Sequence, residues 1–407
     1  MRPAGETGEA SLTASGGATI GRRAPLDDTF EPAALPVRSV SPAVVEPRPS
    51  PEDPVAKPSD HPVGDRDYAA ANGWDGAFET YDDFDLPTYV GPSTFMKLPW
   101  VTDPDELRRR AVDVAIVGAP FDDAVTHRPG ARFGPRAIRE AQYTSGSIYS
   151  LQLDVDAFDV LTVVDAGDAN IIPAWIERGH AMIYRKIREV AGSGAIPIIL
   201  GGDHSITWPA ATAIAEVRHP GSIGIVHFDA HADTANDSYG VLASHGTPMR
   251  RLIESGAVKG RNFVQVGLRG YWPPRETFDW MRAQGLRWHL MTEIEERGAE
   301  AVIADAIAEA LDGPDAIYLS LDIDVIDPGM APGTGTPEPG GMLTREVLRA
   351  IRQIVGAVDL AGMDIVEVSP PYDQAETTAM AANRAALEAI SALAVRRKAG
   401  HRVRWEG

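Results

Sequence analysis

The chain has 407 residues, no cysteine and a formal charge of −20, with 44% hydrophobic and 24% charged residues. That composition is globular and allows a substantial core, and without cysteine there is no disulfide, thiolate nucleophile or sulfur-based zinc site. The acidic balance argues against a nucleic-acid partner and favours attraction of small cations; no apolar stretch approaches the roughly 20 residues that would make the membrane a partner.

In chain order, residues 1–67 hold 11 of the 32 prolines and a single aromatic, Phe30. Such a segment buries too little apolar surface to offset chain entropy, which predicts a disordered tail. Arg22-Arg23 precedes no apolar segment of signal-peptide type, so a cytoplasmic location is expected. Residues 68–111 are expected to form an ordered arm, packed on the core or on a neighbouring subunit. Its stretch GWDGAFETYDDFDLPTYVGPSTFMKLPW (residues 73–100) is rich in aromatics and turn residues but follows neither helical nor strand periodicity.

From residue 112 to about 400 the chain alternates. VDVAIVGAP (112–120), AIPIILGGDH (195–204), SIGIVHFDAH (222–231), NFVQVGLRG (262–270), AIYLSLDIDV (316–325) and LAGMDIVEVSP (360–370) read as strands. Between them lie helical segments such as IERGHAMIYRKIREVAGSG, closed by glycine, and WPAATAIAEVRH. Continuous Val/Ile/Leu strands alternating with helices predict an α/β fold: three α/β/α layers around a central, mostly parallel sheet. In such sheets ligands gather at the carboxyl ends of the strands.

The unusual residues stand at those ends, in GGDHS (201–205), HFDAHAD (227–233), SLDIDVIDP (320–328) and VEVSPPYD (366–373), and five of the ten histidines fall between 204 and 245. Asp229, His231 and Asp233 share a face if the strand's period of two persists, and so do Asp322 and Asp324. Carboxylates crowded together in a dry site stay ionised only if something positive lies among them. Two imidazoles with several carboxylates and no sulfur suit Mn, Ni or Co, and four aspartates balance two dications. Such a pair also yields a water-derived nucleophile at neutral pH.

With PFDDAVTHRPGARFGPRAIR (120–139), GGDHSITWP, HFDAHAD, SHGTPM (244–249), SLDIDVIDPGMAPGTGTPEPGG (320–341) and DIVEVSPPYDQAETTAMAA (364–382), the chain resembles the ureohydrolases. These are the arginases, agmatinases, guanidinobutyrases and guanidine hydrolases, and the resemblance runs from about Thr94 to about Leu393. It implies that His204, Asp229, Asp233 and Asp322 hold one metal ion. His231 and Asp324, with Asp229 and Asp322 bridging, would hold the other, the ions being Mn2+ or Ni2+. It further implies that Asp233 orients the nucleophile, that His245 serves the leaving nitrogen, and that Glu367 pairs with the guanidinium group of the substrate. The same resemblance implies a homo-oligomer, trimer or hexamer.

Other residues in the motifs receive plainer readings. His227 is expected to be a satisfied buried histidine and Asp327 to fix a loop backbone. Asp168 is expected to close a strand end, and Gly201-Gly202 to allow close backbone approach. His127 and Arg128 either line the pocket mouth or order a turn. Trp208 and Trp272, with Tyr271, are expected to line and shorten the pocket, which favours a very small substrate. Free guanidine is therefore the first expectation, with agmatine or guanidinobutyrate as alternatives. A mono-zinc amide hydrolase and a non-catalytic partner subunit are rival classes, which the complete ligand set disfavours.

Overall fold

A computed structural model of the chain describes residues 88–143, 149–219 and 221–405. The predicted tail and the first part of the arm lie outside the described residues. Eight strands form one sheet: β1 (Val114–Ala119), β2 (Val163–Asp168), β3 (Ile196–Gly201), β4 (Ile223–Phe228), β5 (Phe263–Leu268), β6 (Arg287–Leu290), β7 (Ala316–Asp322) and β8 (Leu360–Val366). Their spatial order is β2-β1-β3-β8-β7-β4-β5-β6. Every pairing within that sheet is parallel.

The central strands are buried on both faces, as their unbroken apolar runs require. One face packs under the helices Ala299–Ala310, Thr344–Ala357 and Thr377–Lys398, against a cluster that includes Ile116, Ile198, Leu200, Phe228 and Leu319. The opposite face carries Ile176–Gly192 and Thr207–Arg218 over Ala115, Val117, Ile199 and Tyr318. Thr344–Ala357 shows why such segments become helices: Val347, Ala350, Ile351, Ile354 and Val355 recur at helical spacing, and all are buried. The three layers read from the alternation are present.

Of the two edge strands, β2 was legible only at its end, where Asp168 closes it as expected, and β6 was not legible. β6 (RWHL) is largely exposed, as an edge strand can be. β2 (VVDAGD) is instead buried up to Asp168 and interrupts its apolar run with Asp165, whose carboxylate is paired with Arg139 and the Phe95 amide. In the described part of the arm, Phe95, Met96 and Leu98 join the cluster with Ile116 and Ile138. The Phe95 amide donates to Asp165 Oδ2 at 2.9 Å, and Trp100 bridges Asp165 on β2. No helix among the described residues is long and apolar enough to cross a membrane.

Register is what prepares the site. Leu200 of β3 aligns with Ile365 of β8, Ile365 with Leu321 of β7, and Leu321 with Phe228 of β4. The four motif-bearing strands are therefore consecutive neighbours in the middle of the sheet. They end in step, and all four motifs leave the sheet together at one rim.

Candidate active site

β3 ends at Gly201, and His204 opens a short 3-10 turn capped by the Asp203 side chain. Gly202 is required there, because a Cβ at that position would stand 1.7 Å from the carbonyl oxygen of Phe121. β4 ends at Phe228, so Asp229, His231 and Asp233 lie in the loop beyond it, and Asp233 adopts a left-handed backbone (φ 50). Asp322 ends β7, while Asp324 lies in the following 3-10 turn. Glu367 follows β8 with φ 62. Left-handed backbone at non-glycine residues is costly and concentrates at functional sites.

These bends overturn the shared-face expectation. Nδ1 of His204 stands 3.1 Å from Asp229 Oδ2, 3.1 Å from Asp233 Oδ2 and 3.0 Å from Asp322 Oδ2. Nδ1 of His231 instead faces Asp324 Oδ2 at 3.0 Å and Asp229 Oδ1 at 3.4 Å. The DxHxD triplet and the DxD pair are each divided between two groups, with Asp229 common to both. Strand periodicity ends where the strand ends, and the left-handed turn at Asp233 redirects its carboxylate.

The electrostatics call for positive charge at both places. Burial disfavours a charged His204, yet the three carboxylates outweigh it and hold its pKa well above the usual range. Burial likewise opposes charge on His231, but Asp324 and Asp229 raise it to about 12. Asp322 is pushed well up by burial and by the neighbouring Asp324 and Asp229. His204 Nδ1 and Asp324 Oδ2 are nevertheless buried without a hydrogen-bond partner. Ligand atoms that converge without bonding one another fit common cations between them. Asp229, His231 and Asp324 form one compact group able to hold an ion.

His227 belongs to a second compact group, with His204 and Asp229, but hydrogen bonding assigns it elsewhere. Gln265 Nε2 donates to Ala232 O at 2.6 Å and to His227 Nδ1 at 3.0 Å. The hydrogen of His227 is thereby placed on Nε2, which donates to Asp229 Oδ2 at 2.9 Å. His227 is thus an orienting partner of Asp229, in keeping with its reading as a satisfied buried residue. Asp327 accepts from the backbone amides of Gly329, Gly340 and Gly341, and Asp168 ends β2 in an ion pair with Arg139.

His245 Nδ1 lies 3.0 Å from Glu367 Oε1. Burial opposes charge on this ring, but Glu367 raises its pKa to about 9. Glu367 Oε1 also accepts from the His204 amide at 2.9 Å, whereas its Oε2 is buried and unpartnered. Glu367 itself does not line the adjoining cavity.

That cavity has a volume of about 550 Å³, and its wall includes Thr126, His231, Asp233, Asp237, His245 and Trp272. Trp272 meets His231 edge to face, with ring centroids 6.0 Å apart. Two aromatic expectations are corrected. Trp208 does not reach the cavity, because the helix it begins turns its ring behind the site, edge-on to His180 and against the apolar cluster. Tyr271 is fully exposed. Neither His127 nor Arg128 lines the cavity, and Arg128 instead stacks over Tyr372. Thr126 and Asp237, which do line it, carry no spacing signal and were missed.

A model of the arginase family matches residues 112–391. Proclavaminate amidinohydrolase of Streptomyces clavuligerus is 39% identical over 314 residues, 77% of this chain and 96% of that protein. Guanidinobutyrase of Pseudomonas aeruginosa is 40% identical over 296 residues, 73% of this chain and 90% of its own. The solved structure of the Streptomyces enzyme superposes with a TM-score of 0.70 at 37% identity, covering 76% of this chain and 99% of that one. A Trypanosoma cruzi formiminoglutamase, solved with Mn2+, covers 70% of this chain and 94% of its own, with a TM-score of 0.64 at 26% identity. The chain belongs to the arginase family and is a carbon–nitrogen hydrolase of guanidino compounds.

Proposed function

We propose that the substrate is a small guanidinium cation without a carboxylate tail, free guanidine first, cleaved to urea and ammonia. The observation that carries this reading is the charge of the cavity wall. Among the described residues lining it there is no Lys or Arg, while Asp237 is a carboxylate that the metal sites proposed below do not use. A guanidino acid would bring a carboxylate into that field with no counter-charge, whereas a pure cation suits it.

His204, Asp229, Asp233 and Asp322 would hold one divalent ion, and His231 and Asp324, with Asp229 and Asp322 shared, the other; Mn2+ and Ni2+ both suit these donors. Bound there, such a pair supplies Lewis acidity and an activated water at neutral pH. The chain's own groups do the rest. Glu367, buried behind the cavity wall with Oε1 3.0 Å from His245 Nδ1, acts through that ring and not by direct contact with the guanidinium group. Trp272 walls the pocket beside His231. His245 takes up a proton and returns it to the departing nitrogen.

Agmatine is the second reading, because a volume of about 550 Å³ leaves room for a tail and Asp237 lines the same wall. Urea release from Mn-loaded and Ni-loaded protein, with guanidine, agmatine, 4-guanidinobutyrate and arginine in parallel, separates these readings. The highest kcat/KM with guanidine supports the first and with agmatine the second. A lead for 4-guanidinobutyrate would overturn the charge argument itself.

A further inference from the structure

We propose that Thr126 is the positioning residue for His245, its hydroxyl holding the imidazole in place in both of the ring's protonation states. This rests on the role given to His245 above and deepens it.

Thr126 reaches the ring from a backbone fixed on its own account. The Ala124 amide donates to Asp203 Oδ2 at 3.0 Å, and the Gly130 amide to Asp122 Oδ2 at 2.7 Å. The Ala124 carbonyl accepts from the His245 amide at 3.1 Å and from Ser244 Oγ at 3.3 Å. Out of this frame the Thr126 amide nitrogen stands 3.1 Å from His245 Nε2, with Thr126 Oγ1 at 2.7 Å. On the far side of the ring, Nδ1 faces Glu367 Oε1 at 3.0 Å.

A backbone N–H can only donate, so in this arrangement Nε2 carries a lone pair and Nδ1 holds the hydrogen shared with Glu367. The carboxylate of Glu367 favours the charged ring, while the Thr126 amide favours the neutral one. A group that cycles a proton must occupy both states, and the amide serves only one of them. The hydroxyl serves both: its O–H donates to Nε2 of the neutral ring, and its oxygen accepts Nε2–H of the charged ring. When the Nε2–H bond breaks and the new N–H bond forms on the departing nitrogen, the ring returns to neutral. The hydroxyl then rotates to donate again, and the imidazole keeps its place.

The experiment compares Thr126→Ser and Thr126→Val in the full-length, metal-loaded protein. Thr126→Ser is expected to keep kcat within about threefold, and Thr126→Val to lose about tenfold in kcat with KM little changed. Independently, 15N NMR of histidine-labelled protein reads the ring directly, with His245 assigned by the signal lost in His245→Asn. Above about pH 9, where the ring is neutral, the wild type is expected to show one tautomer with Nε2 unprotonated, and Thr126→Val a mixture. Wild-type kcat in the valine variant, a serine variant as impaired as the valine one, or an unchanged His245 nitrogen signal in Thr126→Val overturns the proposal. If the wild type releases no urea from any guanidinium compound, the functional reading fails alone, and the nitrogen signals still decide the role of Thr126.

Discussion

Ser320 donates its hydroxyl hydrogen to Asp364 at 2.8 Å, and its oxygen is thereby left to accept from Nε2 of His204 at 3.0 Å. Asp364 is fully buried and also accepts from Thr207 at 2.7 Å and Tyr318 at 2.6 Å, so its carboxylate is held from three sides. With the His204 hydrogen on Nε2, the lone pair lies on Nδ1, the nitrogen that faces three carboxylates.

Ser320→Ala is therefore expected to weaken metal retention by about tenfold to hundredfold, the range for partners that orient a ligand. Elemental analysis after dialysis against graded chelator measures it, with circular dichroism as the check on folding. Metal retention equal to wild type would remove the orienting role. In the wild type, full chelation is expected to lower the thermal midpoint and restored Mn2+ to recover it, since an ion bound only by the folded state stabilises that state.

Trp272 and Trp208 make opposite predictions. Trp272 lines the cavity beside His231, so Trp272→Ala is expected to raise the KM for guanidine by about threefold to tenfold. Trp208 packs behind the site, so Trp208→Leu is expected to leave KM alone and cost about 2 kcal/mol of stability. Steady-state kinetics with urea denaturation separates the two, and a KM effect from Trp208 would restore it to the pocket.

Gly335 lies against the carboxylate of Glu367: a Cβ added there would stand 3.1 Å from Glu367 Oε2 and 3.2 Å from the Arg128 carbonyl oxygen. Gly335→Ala is expected to shift Glu367 and lower kcat/KM by about tenfold, since small misplacements in an active site are expensive. The thermal midpoint should stay near wild type. Undiminished kcat/KM would show that the neighbours yield without disturbing Glu367.

His180 supplies a stability signature. It is buried between Phe121 and Trp208, and its Nε2 meets Ser205 Oγ at 2.8 Å. Burial lowers its pKa from 6.5 to about 4, with Glu177 opposing weakly. A depressed histidine contributes stability above its unfolded pKa that is lost as pH falls from about 6.5 toward about 4, at most about 1.4 kcal/mol per unit. Denaturation at pH 7 and pH 5 should therefore show a steeper loss for wild type than for His180→Gln. Equal losses would mean that His180 accepts its proton without cost.

The three layers and the chemical character of the rim were legible in the sequence, because buried parallel strands must be apolar throughout and the departures from that rule fell at their ends. Residues such as His204, Asp229 and Asp322 were conspicuous for the same reason: charge that follows an apolar run needs an explanation. Only the tertiary structure decided which groups meet. The spatial order β3-β8-β7-β4 sets together motifs far apart in the chain, and loop bends sent His231 to Asp324 and Asp233 to His204. Thr126, Ser320, Asp364 and Gln265 left no trace in the pattern, since a hydroxyl or amide acquires its role from the hydrogen-bond partner that folding brings to it. Side-chain direction explains the misplaced Trp208 as well: residue type sets what an indole can do, but the helix that carries it sets where it points.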